Sequence, residues 1–292
     1  MMNPFNDNTY KHAEDLELIQ AALNGSSTAL ESLVKRHQDY IYNIALKMVM
    51  NVADAQDLTQ EVLVKMVTKL SQFKGKSTFR TWLYRITFNH FLKLKKTVLE
   101  EQIESFDNFG RGLDSIQDVS LTEEQKMEQR ELIKEAKLGC MSGMLLCLSR
   151  EQRLVYILGE IFEADHGIGS EILEISKANF RKRLERARRD LYNFMNQKCG
   201  LVNKANPCRC ARKTTGFIKE GWVDQVQMRF NADYVQQIYE ALDEKNEQLD
   251  ELLSLEYADL FKAMPFQEKQ HAQRLLKTLF ENQQVRDTFN LN

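Results

Sequence analysis

Proline and glycine are scarce in this chain: three and twelve among 292 residues. Regular alternation of Val, Ile and Thr is missing too, so neither strands nor the turns that join them are signalled. The expected class is therefore all-α. No run approaches the ~18 apolar residues of a membrane helix. The opening MMNPFNDNTY has no apolar core, so no signal peptide is expected. Five cysteines are an odd count without an export signal, which favours reduced thiols in cytoplasm over a disulfide framework. A phosphate loop, a nucleophile–base pair and a carboxylate dyad are all missing, and no enzymatic role is read. The five histidines are scattered and suggest no ligand set.

Net charge is −2, which by itself does not point to nucleic acid. The distribution does. Phe73–Lys96 holds seven Lys/Arg, no acid and six aromatics. Cations follow phosphates and flat rings stack on unpaired bases, so this composition suits single-stranded nucleic acid. Ser176–Leu191 carries seven basic residues against two acids on one expected helix, which suits the major groove of duplex DNA. Residues 216–292 carry eight basic and fourteen acidic residues, a net −6. Such segregation assigns separate jobs to separate segments.

Helical spacing organises the rest. Leu30, Leu33, Val34, Ile41, Ile44 and Met48 share a period from Thr28. Leu58, Val62, Met66 and Leu70 continue it, and Phe79, Trp82, Leu83 and Ile86 mark a third helix. Residues 97–119 lose the period and hold six acids, and read as an acidic linker. Ser149 and Gln152 fit a capping box before Leu154, Val155 and Leu158. A short helix near Ser170–Leu173, a turn, and a helix capped by Ser176 form a helix-turn-helix. The expected domains are 13–96, the linker 97–119, a helix-turn-helix domain 120–197, a cysteine-bearing basic loop 198–215 and a helical extension 216–292.

The string Ser77-Thr78-Phe79-Arg80-Thr81-Trp82-Leu83-Tyr84-Arg85-Ile86, followed by Asn89, resembles the promoter-melting segment of bacterial RNA polymerase sigma factors. DLTQEV at 57–62 sits where that family carries its polymerase-binding helix. LSREQR at 148–153 and FRKRLERAR at 180–188 resemble its second DNA-binding domain. Their order and spacing fit the two-domain extracytoplasmic-function type, with a C-terminal extension. The resemblance implies a cytoplasmic, non-enzymatic factor that brings core polymerase to promoter DNA, reading the minus-thirty-five element and melting the minus-ten element. It implies an anti-sigma factor as a further partner, and no membrane. It also implies that Asp57, Gln60, Glu61 and Leu63 dock on polymerase. Phe73, Lys74, Lys76, Ser77, Arg80, Trp82, Arg85 and Asn89 would hold the opened strand. Lys177, Asn179, Arg181, Lys182 and Arg186 would contact the minus-thirty-five duplex, and the acidic linker would follow the RNA path.

Departures from the family pattern lie in the turn. His166-Gly167-Ile168-Gly169 replaces a more regular helix start, and Glu174 stands where Gly is common, a position strained in left-handed geometry. Cys199, Cys208 and Cys210 could bind zinc with a fourth ligand from elsewhere, or sense redox state, although paired CxxC spacing is lacking. No other cofactor is expected. Cys140 and Cys147, seven apart, read as core. Two rival functions are a stand-alone helix-turn-helix repressor or activator, which leaves Phe73–Lys96 unused, and a thiol- or metal-responsive regulator acting by protein contacts.

Overall fold

Helix ends are set by short polar side chains. Ser26, Asn51 and Thr78 each accept a hydrogen bond from the amide three residues on, opening α2 (Ser27–Val49), α3 (Val52–Thr68) and α4 (Phe79–Lys93). In the computed structural model, which describes residues 10–223, 279 and 281–289, these follow α1 (His12–Leu23). The breaks at Gly25 and Gly75 adopt positive φ of 94° and 68°, which glycine accepts without strain. Apart from one isolated bridge, Cys199 with Cys208, the described residues are helical or irregular, as an all-α fold requires.

The chain divides into two units. One takes residues 10–95 and 162–180 with the terminal helix Gln283–Phe289, and the other takes 96–161 and 181–223. In the first, Leu33, Ile41 and Ile44 of α2 are fully buried with Val62 and Met66 of α3 and Leu83, Phe88 and Phe91 of α4. The helical period marks all of these but Phe88 and Phe91, whereas Trp82 and Ile86, which it also marks, are half-buried. A buried polar group sits among them: Asp15 accepts from Tyr10 Oη (2.6 Å) and lies 3.1 Å from His37 Nε2 and 2.9 Å from Arg36 Nε. The terminal helix packs on α3 with Val285 buried.

The second unit corrects the reading of 97–119 as a linker. That stretch forms α5 (Val98–Ile103) and α6 (Phe106–Ser115). Thr97 and Glu100 make a capping box, and Ser105 caps α6. Phe109 and Leu113 are buried; a Cβ on Gly143 would stand 2.5 Å from the Phe109 ring, so the approach depends on that glycine. Glu100 is buried and bridges Arg150 (2.6 Å) and Arg153 (3.0 Å). Helices of six and ten residues are too short to display a period, and Gly110 and Gly112 mask the second one. The remaining elements are α7 (Glu123–Glu128), α8 (Arg130–Leu146), α9 (Arg150–Tyr156) with a wide turn Ile157–Ile161, and α12 (Cys210–Lys219). The Ser149–Gln152 capping box is present as expected.

The chain also forms α10 (His166–Ile172), within the first unit, and α11 (Lys177–Lys198), the unit boundary falling after Phe180. Asp165 caps α10 through the Gly167 and Ile168 amides, and Ser176 accepts from the Asn179 amide. Gly169 admits the Phe180 ring, which a Cβ there would meet at 2.5 Å. Glu174 adopts φ 54°, the left-handed geometry anticipated for that turn. Of the extension 216–292, residues 224–278, 280 and 290–292 lie outside the described residues, and with them Phe230, Tyr234, Ile238, Leu242 and Pro265.

Candidate nucleic-acid interface

Lys74, Gly75 and Lys76 are exposed on the loop before α4, and Gly75 has open space around it. Ser77 is half-buried and Thr78 caps the helix. Behind the loop three rings meet. Phe79 lies 5.4 Å from both Phe73 and Trp82, stacked on the latter, and Phe73–Trp82 is 5.6 Å. Phe79 is fully buried, whereas Phe73 and Trp82 are half-buried. The inner ring therefore sets the core, and the outer two present faces at the surface beside two lysines.

Two of the expected contact residues belong to the core instead. Arg80 is buried, its guanidinium 3.7 Å from the Tyr10 ring centroid and 4.6 Å from that of Tyr40. Stacking on both rings directs it inward. Leu63 is fully buried on the inner face of α3 and cannot touch a partner. Arg85 and Asn89 are half-buried on α4 and engaged: Arg85 lies 3.3 Å from Glu171 and 3.8 Å from Glu174, and the Asn89 amide donates to Glu174 at 3.3 Å. The segment carrying α10 thus supplies carboxylates to the cationic face of α4.

On α3, Asp57 and Glu61 are exposed and Gln60 is half-buried. Glu61 lies 2.6 Å from His90 Nε2, and Lys65 Nζ is also within hydrogen-bond reach of that imidazole. Burial and the neighbouring Lys65 ammonium push His90 below the ordinary imidazole range, against the pull of Glu61.

Along α11, Lys177, Asn179, Arg181, Lys182 and Arg186 are all exposed, while Phe180, Leu184, Ala187 and Leu191 are buried. A Cβ on Gly159 would stand 2.7 Å from Leu184, so that glycine seats the helix. Arg188, though exposed, is engaged: its Nε donates to buried Glu160 at 2.5 Å. The sequence reading missed the Arg188–Glu160 and Glu100 ion pairs because both depend on carboxylates that face inward.

Residues 33–97 match the family model for sigma-70 region 2. The chain carries a sigma-70 region 2. It is 36% identical over 76 residues to the RNA polymerase sigma-H factor of Pseudomonas aeruginosa, covering 26% of this chain and 39% of that protein. It is 24% identical over 166 residues to the ECF RNA polymerase sigma factor SigE of Mycolicibacterium smegmatis, covering 56% of this chain and 61% of that one. It is 28% identical over 167 residues to the RNA polymerase sigma factor YlaC of Bacillus subtilis, covering 57% and 92%. Over these stretches the chain is similar to sigma factors of the extracytoplasmic-function type. The region 2 match contains α3, the basic loop and α4, so Phe73, Phe79 and Trp82 with Lys74 and Lys76 lie inside it.

Proposed function

We propose that this chain is an RNA polymerase sigma factor of the extracytoplasmic-function type, acting without enzymatic activity of its own. The observation that carries the reading is the coincidence of two independent features in residues 33–97: the sigma-70 region 2 match, and exposed Lys74 and Lys76 beside the half-buried rings of Phe73 and Trp82. Lysines hold a strand by its phosphates, and a ring at the surface takes up a base that has left the duplex. Unstacking a base costs a few kcal/mol, and stacking on an aromatic side chain returns about 1–3 kcal/mol per base.

Region 2 would bind core polymerase through Asp57, Gln60 and Glu61 on α3 and melt the minus-ten element. Arg181, Lys182 and Arg186 on α11, with Lys177 and Asn179 at its start, would grip the minus-thirty-five duplex. Opening the strand then requires Arg85 and Asn89 to exchange Glu171 and Glu174 for DNA. Among the described residues no helix is long and apolar enough to cross a membrane, and a cytoplasmic location fits that. A stand-alone helix-turn-helix regulator leaves the basic aromatic loop without a task.

The test is reconstitution of the purified full chain with core polymerase on a pool of promoter fragments. Copurification with core and transcription from a defined subset of fragments are expected. Transcription no different from core alone, with no copurification, overturns the reading.

A further inference from the structure

On the outer face of α3, Glu61 is held in place and its neighbours are not. Among the described residues Asp57 and Gln60 make no side-chain hydrogen bond, whereas Glu61 Oε2 lies 2.6 Å from His90 Nε2. Glu61 and Lys65 stand one turn apart on α3, and His90 lies in the last turn of α4, which packs against α3. Lys65 Nζ contacts Nδ1 of the same ring and lies 3.2 Å from Nε2. The imidazole is nearly buried, while the Glu61 side chain is 56% exposed.

The chemistry of these three groups fixes their protons. An ammonium donates and cannot accept, so the Nδ1 that faces Lys65 must be the bare nitrogen. A carboxylate only accepts, so Nε2 must carry the hydrogen that reaches Glu61. The ring is therefore neutral, in its Nε2–H tautomer, and links the Lys65 donor to the Glu61 acceptor. Burial and the Lys65 ammonium both favour that neutral form against the pull of Glu61, and Lys93, three residues further along α4, adds to them. Glu171 and Glu174, from the segment of α10 that packs on α4, are engaged with Arg85 and Asn89. A second ring proton, on Nδ1, would point at the ammonium and break the chain.

Resting on the reading of α3 as the docking helix, we propose that His90 and Lys65 are positioning residues for polymerase binding: Lys65 sets the His90 tautomer, and His90 presents the Glu61 carboxylate in a fixed orientation. An unrestrained glutamate loses rotamer freedom when a partner engages it. Here Oε2 is fixed before docking. With more than half of the side chain exposed, the carboxylate can still accept from a donor group on the partner. Asp57 and Gln60 lack such support, so Glu61 is the pre-set contact of the three.

The experiment combines affinity for core polymerase with nitrogen NMR of the histidine rings in the free full chain. At neutral pH His90 should show a protonated Nε2 and a bare Nδ1, and Lys65→Met should replace this with a mixture of tautomers. His90→Leu keeps bulk but removes both nitrogens. It should weaken core binding roughly 2- to 13-fold, the effect of one side chain left to be ordered on docking. His90→Gln supplies an amide donor for Glu61 and a carbonyl acceptor for Lys65, and should recover most of that loss. In a Glu61→Ala background His90→Leu should change affinity no further, because it acts through that carboxylate. Melting curves show whether each variant is folded. Should His90→Leu not fold, Lys65→Met, at a half-buried position, carries the same cycle. With the unmodified chain binding core, two results overturn the proposal: His90→Leu as tight as wild type, or an equal loss without Glu61, the mark of packing alone. A protonated Nδ1 in the free chain at neutral pH overturns it without any polymerase. No core binding by the unmodified chain would instead remove the sigma-factor reading, and this role with it.

Discussion

Phe79 and Trp82 are stacked neighbours with different fates on truncation. Phe79 is fully buried, so Phe79→Ala should destabilise the first unit by about 3–5 kcal/mol. Trp82 keeps a face at the surface, and its loss should fall on DNA opening. Trp82→Ala is expected to leave duplex affinity unchanged and to slow promoter opening by roughly 5- to 150-fold, the equivalent of ~1–3 kcal/mol of stacking. Permanganate reactivity of unpaired thymines reads it, and normal opening would return Trp82 to a packing role. Lys47 is a second residue-scale case. It is 3% exposed in α2, and burial pushes its ammonium down to about 8. The unfolded chain binds that proton up to roughly pH 10.4, so stability rises with pH between about 8 and 10.4 and is penalised below. Lys47→Met should raise stability at neutral pH by about 2–3 kcal/mol and abolish that rise, as measured by denaturant unfolding across pH. Residue identity alone did not reveal either Lys47 or Arg80 as buried, because a basic residue reads as surface until its neighbours are known.

At the scale of elements, helical period exposed α2, α3, α4 and α11, each long enough to show an apolar face. It missed α5 and α6, whose order comes from caps and from Glu100. Burial alone would push the Glu100 carboxyl up; Arg150, the Thr97 amide and Arg153 outweigh it and hold it below the ordinary carboxylate range. A carboxyl held low stabilises the fold above its unfolded pKa, roughly 4.3, and that contribution is lost as pH falls through the folded value. Glu100→Gln should therefore lower stability at neutral pH, by about 3–5 kcal/mol if both arginines stay buried, and flatten the acid limb of the unfolding curve. For α11 the exposed cations act through phosphate. Removing Arg181 and Lys182 together should weaken duplex binding and reduce the salt slope by about 1 per cation, while leaving helicity intact. An unchanged slope would mean that neither side chain displaces counterions.

On the scale of the whole molecule, the −6 carried by residues 216–292 opposes the basic face of α11, and a tether raises the effective concentration of one at the other. Charge segregation of this kind was legible from the sequence; where the extension begins was not. Phe217 and Val223 are buried, and Trp222 stacks on Phe217 at 5.3 Å and on Phe109 at 6.2 Å, so residues 217–223 belong to the packing of the second unit. A cut after residue 215 strips that packing and unfolds part of the domain. A cut after Val223 removes thirteen acids and seven bases, still a net −6, and spares it. The chain ending at Val223 should bind promoter duplex more tightly than the full chain at low salt, and the advantage should vanish as the Debye length shrinks to about 3 Å near 1 M. Val285→Ala serves as the control, since it loosens the terminal helix on α3 without changing charge. Equal affinities at low salt would show that the acidic extension does not screen α11. A salt-independent difference would instead trace the effect to lost packing.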